Sequence, residues 1–293
     1  MLNMFHVFKY KPKCKNVNNI VKWKLIDKSM LIKSNQNIIQ KHKNDLCQSN
    51  HDVIIYCIKY NIKINYIVND ITILPEYILL ACEYNNVHFI KNINSYINVK
   101  YFLTERHINR AFAYNSMSLI KYLHKEYKLD KRIFTKHYNF PANVVCRCGY
   151  FGLVKYLHKK LNFDKYDFIK CMIISTPLSN ACENNHVNII KYLHNKLHLI
   201  KSDLVENNKC CCCILACANG SFEVVKYLVE HLNYDKEDFT RQTIWYVNKS
   251  AFEMACYCGY VNIVNYLIQN VNINIPNGYS VIEYVKDYHT LDM

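Results

Sequence analysis

The stretch Ala181-Cys182-Glu183-Asn184-Asn185-His186-Val187-Asn188-Ile189-Ile190-Lys191-Tyr192-Leu193 returns 35 residues later as Ala216-Cys217-Ala218-Asn219-Gly220-Ser221-Phe222-Glu223-Val224-Val225-Lys226-Tyr227-Leu228. The second block is the first with conservative changes. Further copies start at Ala255, Val145 and Ala111, and weaker ones at Ala81 and Leu46. Taking the first residue of each copy as an anchor, the steps along the chain are 35, 30, 34, 36, 35 and 39 residues. Self-similarity at a period of about 20 to 50 residues marks a repeat architecture, in which each unit buries its apolar face against its neighbours.

The inside of the block describes the unit. Four residues after the anchors stand Asn50, Asn85, Asn115, Gly149, Asn185, Gly220 and Gly259. Gly and Asn tolerate the left-handed conformation in which helices commonly end, so this column predicts a helix stop. Positions +9 and +12 hold Ile55 and Ile58, Ile90 and Ile93, Ile120 and Leu123, Val154 and Leu157, Ile190 and Leu193, Val225 and Leu228, Val264 and Leu267. A three-residue step places each pair on one face of a helix. Each unit is therefore expected to be a short helix, a tight stop and a second, amphipathic helix.

Thr176-Pro177-Leu178-Ser179-Asn180-Ala181 resembles the Thr-Pro-Leu-x-x-Ala opening of an ankyrin repeat, and Asn185-His186 stands where that family has Gly-His. Pro141 has the same offset from Val145 as Pro177 from Ala181, and Asn277-Gly278-Tyr279-Ser280-Val281-Ile282 resembles a finger turn followed by a new first helix. The Trp and Gly-x-x-Tyr positions of tetratricopeptide repeats are missing. The Lys-Tyr-Leu phrasing and the abundance of Asn, Ile and Lys look most like the ankyrin families of giant DNA viruses of amoebae (mimivirus-type). The resemblance implies an all-α, ankyrin-type helix-pair solenoid, with about seven repeats over residues 35–270. Residues 1–34 would be an N-terminal cap, an eroded repeat, and 271–293 a C-terminal capping half-repeat. Most copies lack the finger glycine. Asp130, Asp164 and Asp235 are each followed four residues later by Phe134, Phe168 and Phe239, which reads as a capped helical turn and predicts partly irregular or helical fingers.

Composition agrees with helices. The 293 residues are 51% hydrophobic with only 5 Gly and 5 Pro, too few punctuators for a sheet protein rich in tight turns. No apolar run reaches the roughly 18 to 20 residues that span a bilayer, and no signal peptide opens the chain. A soluble intracellular protein is expected, in the host cytoplasm if the viral resemblance holds. Six of the 15 Cys fall in one column, at Cys47, Cys82, Cys146, Cys182, Cys217 and Cys256, with Phe112 in the same place. A repeated slot for a small apolar residue explains them, since free Cys packs as a small hydrophobe. Stacked helices about 8 to 10 Å apart cannot share an ion bound at about 2.3 Å. In the run Cys210-Cys211-Cys212-Cys213 only Cys210 and Cys213 could share a helix face, and two ligands do not complete a site.

No phosphate-binding Gly loop, nucleophile elbow or His-Glu-x-x-His is present, so neither catalysis nor a cofactor is expected. His124, His158 and His194 form a ladder read as partly buried helix-face residues. Lys121, Lys155, Lys191 and Lys226, each followed by Tyr, form a stripe at +10. With a formal charge of +14, from 37 basic and 23 acidic residues, that stripe favours an acidic partner. The resemblance implies a protein-binding scaffold, a monomer whose partner meets exposed residues of first helices and fingers. Candidates are Glu83, Tyr84, Arg110, Arg147, Glu183, Asn184 and Tyr257. The alternative is a basic module for nucleic acid or another polyanion, whose binding would fall steeply with salt.

Overall fold

A computed structural model describes residues 50–61, 74–95, 97–135, 140–170, 175–204, 212–242 and 249–290. The N-terminal segment 1–34, Leu46 and Cys47, and Cys210 and Cys211 lie outside them. The chain divides into two compact units, Met1–Tyr122 and Leu123–Met293. Among the described residues every regular element is a helix, and none is long and apolar enough to cross a membrane.

In the first unit, helices α1 (Asn50–Lys59), α2 (Leu74–Glu83), α3 (Val87–Asn94) and α4 (Glu105–Ala113) precede the start of α5 (Met117–Tyr127). Helix α2 packs against α1 and α4. The second unit continues with α6 (Lys131–Thr135), α7 (Phe140–Arg147), α8 (Phe151–Leu161), α9 (Lys165–Ile169), α10 (Pro177–Glu183) and α11 (Val187–Leu197). After a 3-10 turn over Lys201–Leu204 come α12 (Cys212–Ala218), α13 (Phe222–Leu232), α14 (Lys236–Thr240), α15 (Ala251–Tyr257), α16 (Val261–Val271) and α17 (Val281–Thr290). First helices form one row, α7 on α10 on α12 on α15 on α17, and second helices another, α8 on α11 on α13 on α16. That is an all-α helix-pair solenoid.

The stops fall where Gly and Asn permit them. Asn85, Asn115, Gly149, Asn185, Gly220 and Gly259 all have positive φ, between 55° and 77°. Asn50 does not follow the rule. It is the first described residue of α1, inside the helix rather than ending one. The weak first copy also leaves Ile55 only half-buried, while Ile54 and Ile58 are buried. In the other six copies both +9 and +12 are buried. A second column of stops went unread in the sequence. Lys128, Asn162, His198, Asn233 and Asn272, each at +17, are left-handed and close the second helices.

Helix starts are set by side-chain caps. Thr176 Oγ1 accepts from Ser179 N–H at 2.9 Å and Thr176 N–H donates to Ser179 Oγ at 2.8 Å, with Pro177 at the first turn, where its missing N–H costs nothing. Ser250 and Glu253 repeat the device. The fingers are helical, as their Asp residues suggest: Asp164 caps α9 and Asp235 caps α14. Phe168 and Phe239, four residues on, are fully buried beside Phe163 and Tyr234, with ring centroids 6.2 and 6.0 Å apart.

The cysteine column is packing. Cys82, Cys146, Cys182, Cys217 and Cys256, like Phe112, have no exposed surface. Burial pushes the Cys82 and Cys256 thiols up to about 12, so at neutral pH they stay protonated and unreactive. Cys212 and Cys213 are likewise buried at the start of α12.

One buried histidine makes stability depend on pH. His107 Nδ1 accepts from Thr104 N–H at 3.1 Å and its Nε2–H donates to the Pro75 carbonyl at 2.8 Å. Burial lowers its pKa, outweighing the hydrogen bonds that favour the cation. The folded state therefore binds the proton less readily than the unfolded chain. Its contribution is complete above the unfolded value of about 6.5 and declines as pH falls below it. Chemical denaturation between pH 7.5 and 5 should show falling stability, and a His107→Gln variant should show a flatter dependence.

Neighbouring repeats are joined by polar contacts that recur at fixed positions. In two junctions Asn at +4 meets Ser at +5 of the next copy. Asn85 Oδ1 accepts from Leu119 N–H at 2.9 Å while Ser116 Oγ donates to the Cys82 carbonyl at 2.6 Å. Asn185 Oδ1 accepts from Val224 N–H at 3.3 Å while Ser221 Oγ donates to the Glu183 carbonyl at 3.0 Å. In two others Gly at +4 meets a ring. A Cβ on Gly149 would stand 2.5 Å from the His186 ring, whose Nε2–H donates to the Arg147 carbonyl at 2.9 Å, and one on Gly220 would stand 2.5 Å from Tyr260. At these four junctions Asn goes with Ser and Gly with a ring; the fifth, Asn115 followed by Tyr150, joins Asn to a ring and departs from that pairing.

Candidate interaction surfaces

Three surfaces carry the polar side chains. The first holds the residues singled out from the sequence, on first helices and their stops. Arg110 Nη1 lies 3.5 Å from Glu83 Oε2, and its guanidinium sits 5.5 Å from the Tyr114 ring. Both charges are mostly spent on each other. In the second unit Arg147 Nη2 donates to Asn180 Oδ1 at 3.1 Å, and Asn180 Nδ2 donates to Asn143 Oδ1 at 3.0 Å. Asn184 Nδ2 donates to the Asn180 carbonyl at 2.9 Å, and the Lys249 ammonium lies 5.0 Å from the Tyr257 ring. Of the seven candidates only Asn184 is fully exposed. Glu83, Tyr84, Arg110, Glu183, Arg147 and Tyr257 are half-buried; Glu83 and Arg110 meet each other, and Arg147 meets Asn180, across neighbouring repeats.

The second surface is the fingers. Lys131 pairs with Asp164, at 3.1 Å, and with Asp167; Lys165 pairs with Asp203 at 3.1 Å; Lys201 pairs with Asp235, at 3.2 Å, and with Asp238. Each lysine reaches one repeat forward to the carboxylates that cap the next finger. An open cleft beside the last of these pairs is lined by Ile200, Lys201, Ser202, Asp235, Glu237, Asp238 and Arg241. Its charges are matched from within, Arg241 meeting Glu237 at 2.8 Å. Sequence reading placed the Asp caps but missed the Lys partners, whose signal was the recurring Asp-Lys or Ile-Lys pair at each finger. The Lys201 hydrogen bond and charge, with the amides of Asp238 and Glu237, hold the Asp235 carboxyl below its ordinary value against a small cost of burial. A lowered folded value means a contribution present at neutral pH and lost as acid titrates the carboxylate. Asp235→Ala should cost about 1 kcal/mol at pH 7, chiefly from the lost cap, and less near pH 3, as read by urea denaturation.

The third surface is the outer face of the second helices. His124 Nδ1 meets the Tyr156 hydroxyl at 2.7 Å, His158 that of Tyr192 at 2.8 Å, and His194 that of Tyr227 at 2.7 Å. The histidine ladder and the tyrosine column are thus two halves of one zipper between repeats, and the rings meet edge to face. The histidines are half-buried helix-face residues, as read from the sequence. The +10 lysines stand outside the zipper. Lys91, Lys121, Lys155, Lys191 and Lys226 are all exposed.

Paired helices with a left-handed stop between them recur through the second unit, and Thr176-Pro177 opens one of the first helices. Two matches to the family described as Ankyrin repeats (3 copies) cover residues 148–240 and 196–277. Residues 148–277 are thus similar to ankyrin repeats. No curated protein matches the chain. The zipper, the finger ladder and the Gly220–Tyr260 contact all lie within or beside this ankyrin stretch, and none of them forms a catalytic constellation. Among the described residues no three His, Cys, Asp or Glu side chains gather as a metal site would require.

Proposed function

We propose that the chain is a non-catalytic ankyrin scaffold that binds another protein through first helices and their stops. Ankyrin repeats are, in general, protein–protein interaction modules. One observation supports extending that role here. The stop at +4 holds only Asn or Gly, while +3 beside it takes Tyr84, Tyr114, Cys148, Asn184, Asn219 and Cys258. A constant frame with a variable rim is how a repeat array separates folding from recognition. The repeat count of about seven, with caps over 1–34 and 271–293, belongs to the same reading. So does a kinship with the ankyrin families of giant DNA viruses of amoebae, which the Lys-Tyr-Leu phrasing supports and which would make the partner a host protein.

The test uses the full chain immobilised against a lysate of its native cell, beside a variant carrying Arg147→Glu, Asn184→Arg and Tyr257→Ala. A protein retained by the native chain and lost with the variant supports the reading. Retention that vanishes on nuclease treatment would instead support the polyanion alternative. Identical retention by both proteins would remove the first-helix surface from the proposal.

A further inference from the structure

Helices α8 and α11 present an outer face unlike that of any other pair in the second unit. Their exposed residues are Gly152, Lys155, Lys159 and Lys160 on one, and Asn188, Lys191, Asn195 and Lys196 on the other. Neither helix contains an Asp or a Glu. Among the described residues none of these five lysines forms an ion pair, in contrast with Lys131, Lys165 and Lys201 on the fingers. Lys159, Lys160 and Lys196 have a local reason to be where they are, since cations in a last turn complement the helix dipole. Lys155 and Lys191 do not. They lie mid-helix, where a carboxylate partner at i±4 would be the ordinary arrangement. Helix α13 shows that arrangement, with Lys226 3.9 Å from Glu230.

The face is bounded. Glu126 lies on the helix before it, and Glu223 and Glu230 on the helix after. With 11 residues per helix and neighbouring axes about 8 to 10 Å apart, the acid-free area is roughly 16 Å long and two helices wide. The aromatic groups do not offer open faces. Lys155 caps the Phe151 ring at 4.0 Å, Lys191 caps Tyr227 at 5.4 Å, and Tyr192 is held between Phe151 and His158. Single-stranded nucleic acid gains much of its affinity by stacking bases on aromatic faces. A duplex tracking further along the array would meet the flanking glutamates. Both features favour a short ligand that carries carboxylates and needs no stacking.

We propose that the outer face of α8 and α11 is a second docking surface, taken by a short acidic peptide segment of a partner protein. It goes beyond the first-helix reading and does not depend on it, because it concerns the opposite helix of each repeat. Lys155 and Lys191 rest over the Phe151 and Tyr227 rings with their ammonium groups exposed, on a face whose helices the His158–Tyr192 and His194–Tyr227 bonds join. Binding is electrostatic and weakens with salt, within the limits set by exposed charges.

Fluorescence anisotropy tests this with a short labelled peptide alternating Glu and Ser, against the full chain and two charge-matched variants. Lys155→Glu with Lys191→Glu should weaken peptide binding about tenfold or more, and the neutral pair Lys155→Gln with Lys191→Gln should fall between. Lys100→Glu with Lys236→Glu, equal in net charge and exposed elsewhere, should change it less than about twofold. Circular dichroism confirms that each variant keeps its helices. Equal loss in both Glu variants, or no peptide binding by the native chain, overturns the proposal. So does tighter binding of an equally charged oligothymidylate or DNA duplex that the face variant abolishes, which would make this a nucleic-acid surface.

Discussion

Replacing Phe239 by alanine is expected to destabilise the second unit by about 4 kcal/mol. The side chain is fully buried, and its ring packs against Tyr234 under the finger helix α14. Truncating a buried Phe typically costs about 3 to 5 kcal/mol, through lost transfer energy and the cavity left behind. Little is free to collapse into that space, because Asp235 and Asp238 hold the finger on one side and Cys213 on the first helix touches the Asp238 carbonyl. Tyr166, on the finger helix α9 but 60% exposed, is the control, and Tyr166→Ala should cost less than about 0.5 kcal/mol. Denaturant midpoints report the difference. Hydrogen exchange should place the loss around α12 to α15, since a repeat array feels a lesion mainly at its neighbours.

Gly220→Val should cost about 3 kcal/mol, from two separable causes. The residue has a φ of +71°, which a β-branched side chain adopts only at a cost of about 1 to 2 kcal/mol. A Cβ there would also meet the Tyr260 ring at 2.5 Å, and forcing atoms into a packed junction costs a further 1 to 3 kcal/mol or so. Gly259 separates the two. Its φ is +77° but nothing lies within 4 Å of a Cβ, so Gly259→Ala should show only the backbone cost, about 1 kcal/mol. Thermal unfolding of the two variants, side by side, measures the steric share at Gly220.

Periodicity made the helix pairs readable, because burial at +9 and +12 is a property of each copy taken alone. The fingers were readable for the same reason, an Asp and its aromatic lying four residues apart. What escaped was whatever two copies do together. Arg147 reads as an exposed charge, yet it is half-buried because its partner Asn180 lies 33 residues away. The histidine ladder and the tyrosine column were each visible, but their union at about 2.7 Å needed the stacking of one helix on the next. The residues Gly149 and His186, and Gly220 and Tyr260, were also present in the sequence, at +4 and at +5 one copy later, and become meaningful only once those positions are seen to adjoin. Asn50 failed for a different reason. Its copy keeps the apolar spacing, but Asn50 is itself helical, as the first described residue of α1.

The central claim is that at the Gly149–His186 and Gly220–Tyr260 junctions the stop of one repeat and the ring of the next are a matched pair. A double-mutant cycle across Gly220 and Tyr260 tests it most directly, installing the Asn–Ser solution that Asn185 and Ser221 already use. Gly220→Asn alone should destabilise by about 2 kcal/mol, from the clash with Tyr260 that remains after Asn accepts the left-handed backbone. With Tyr260→Ser added, much of that loss should be recovered, giving a coupling energy above about 1 kcal/mol. Additive effects of the two substitutions would contradict the account, showing that the junctions are not matched pairs.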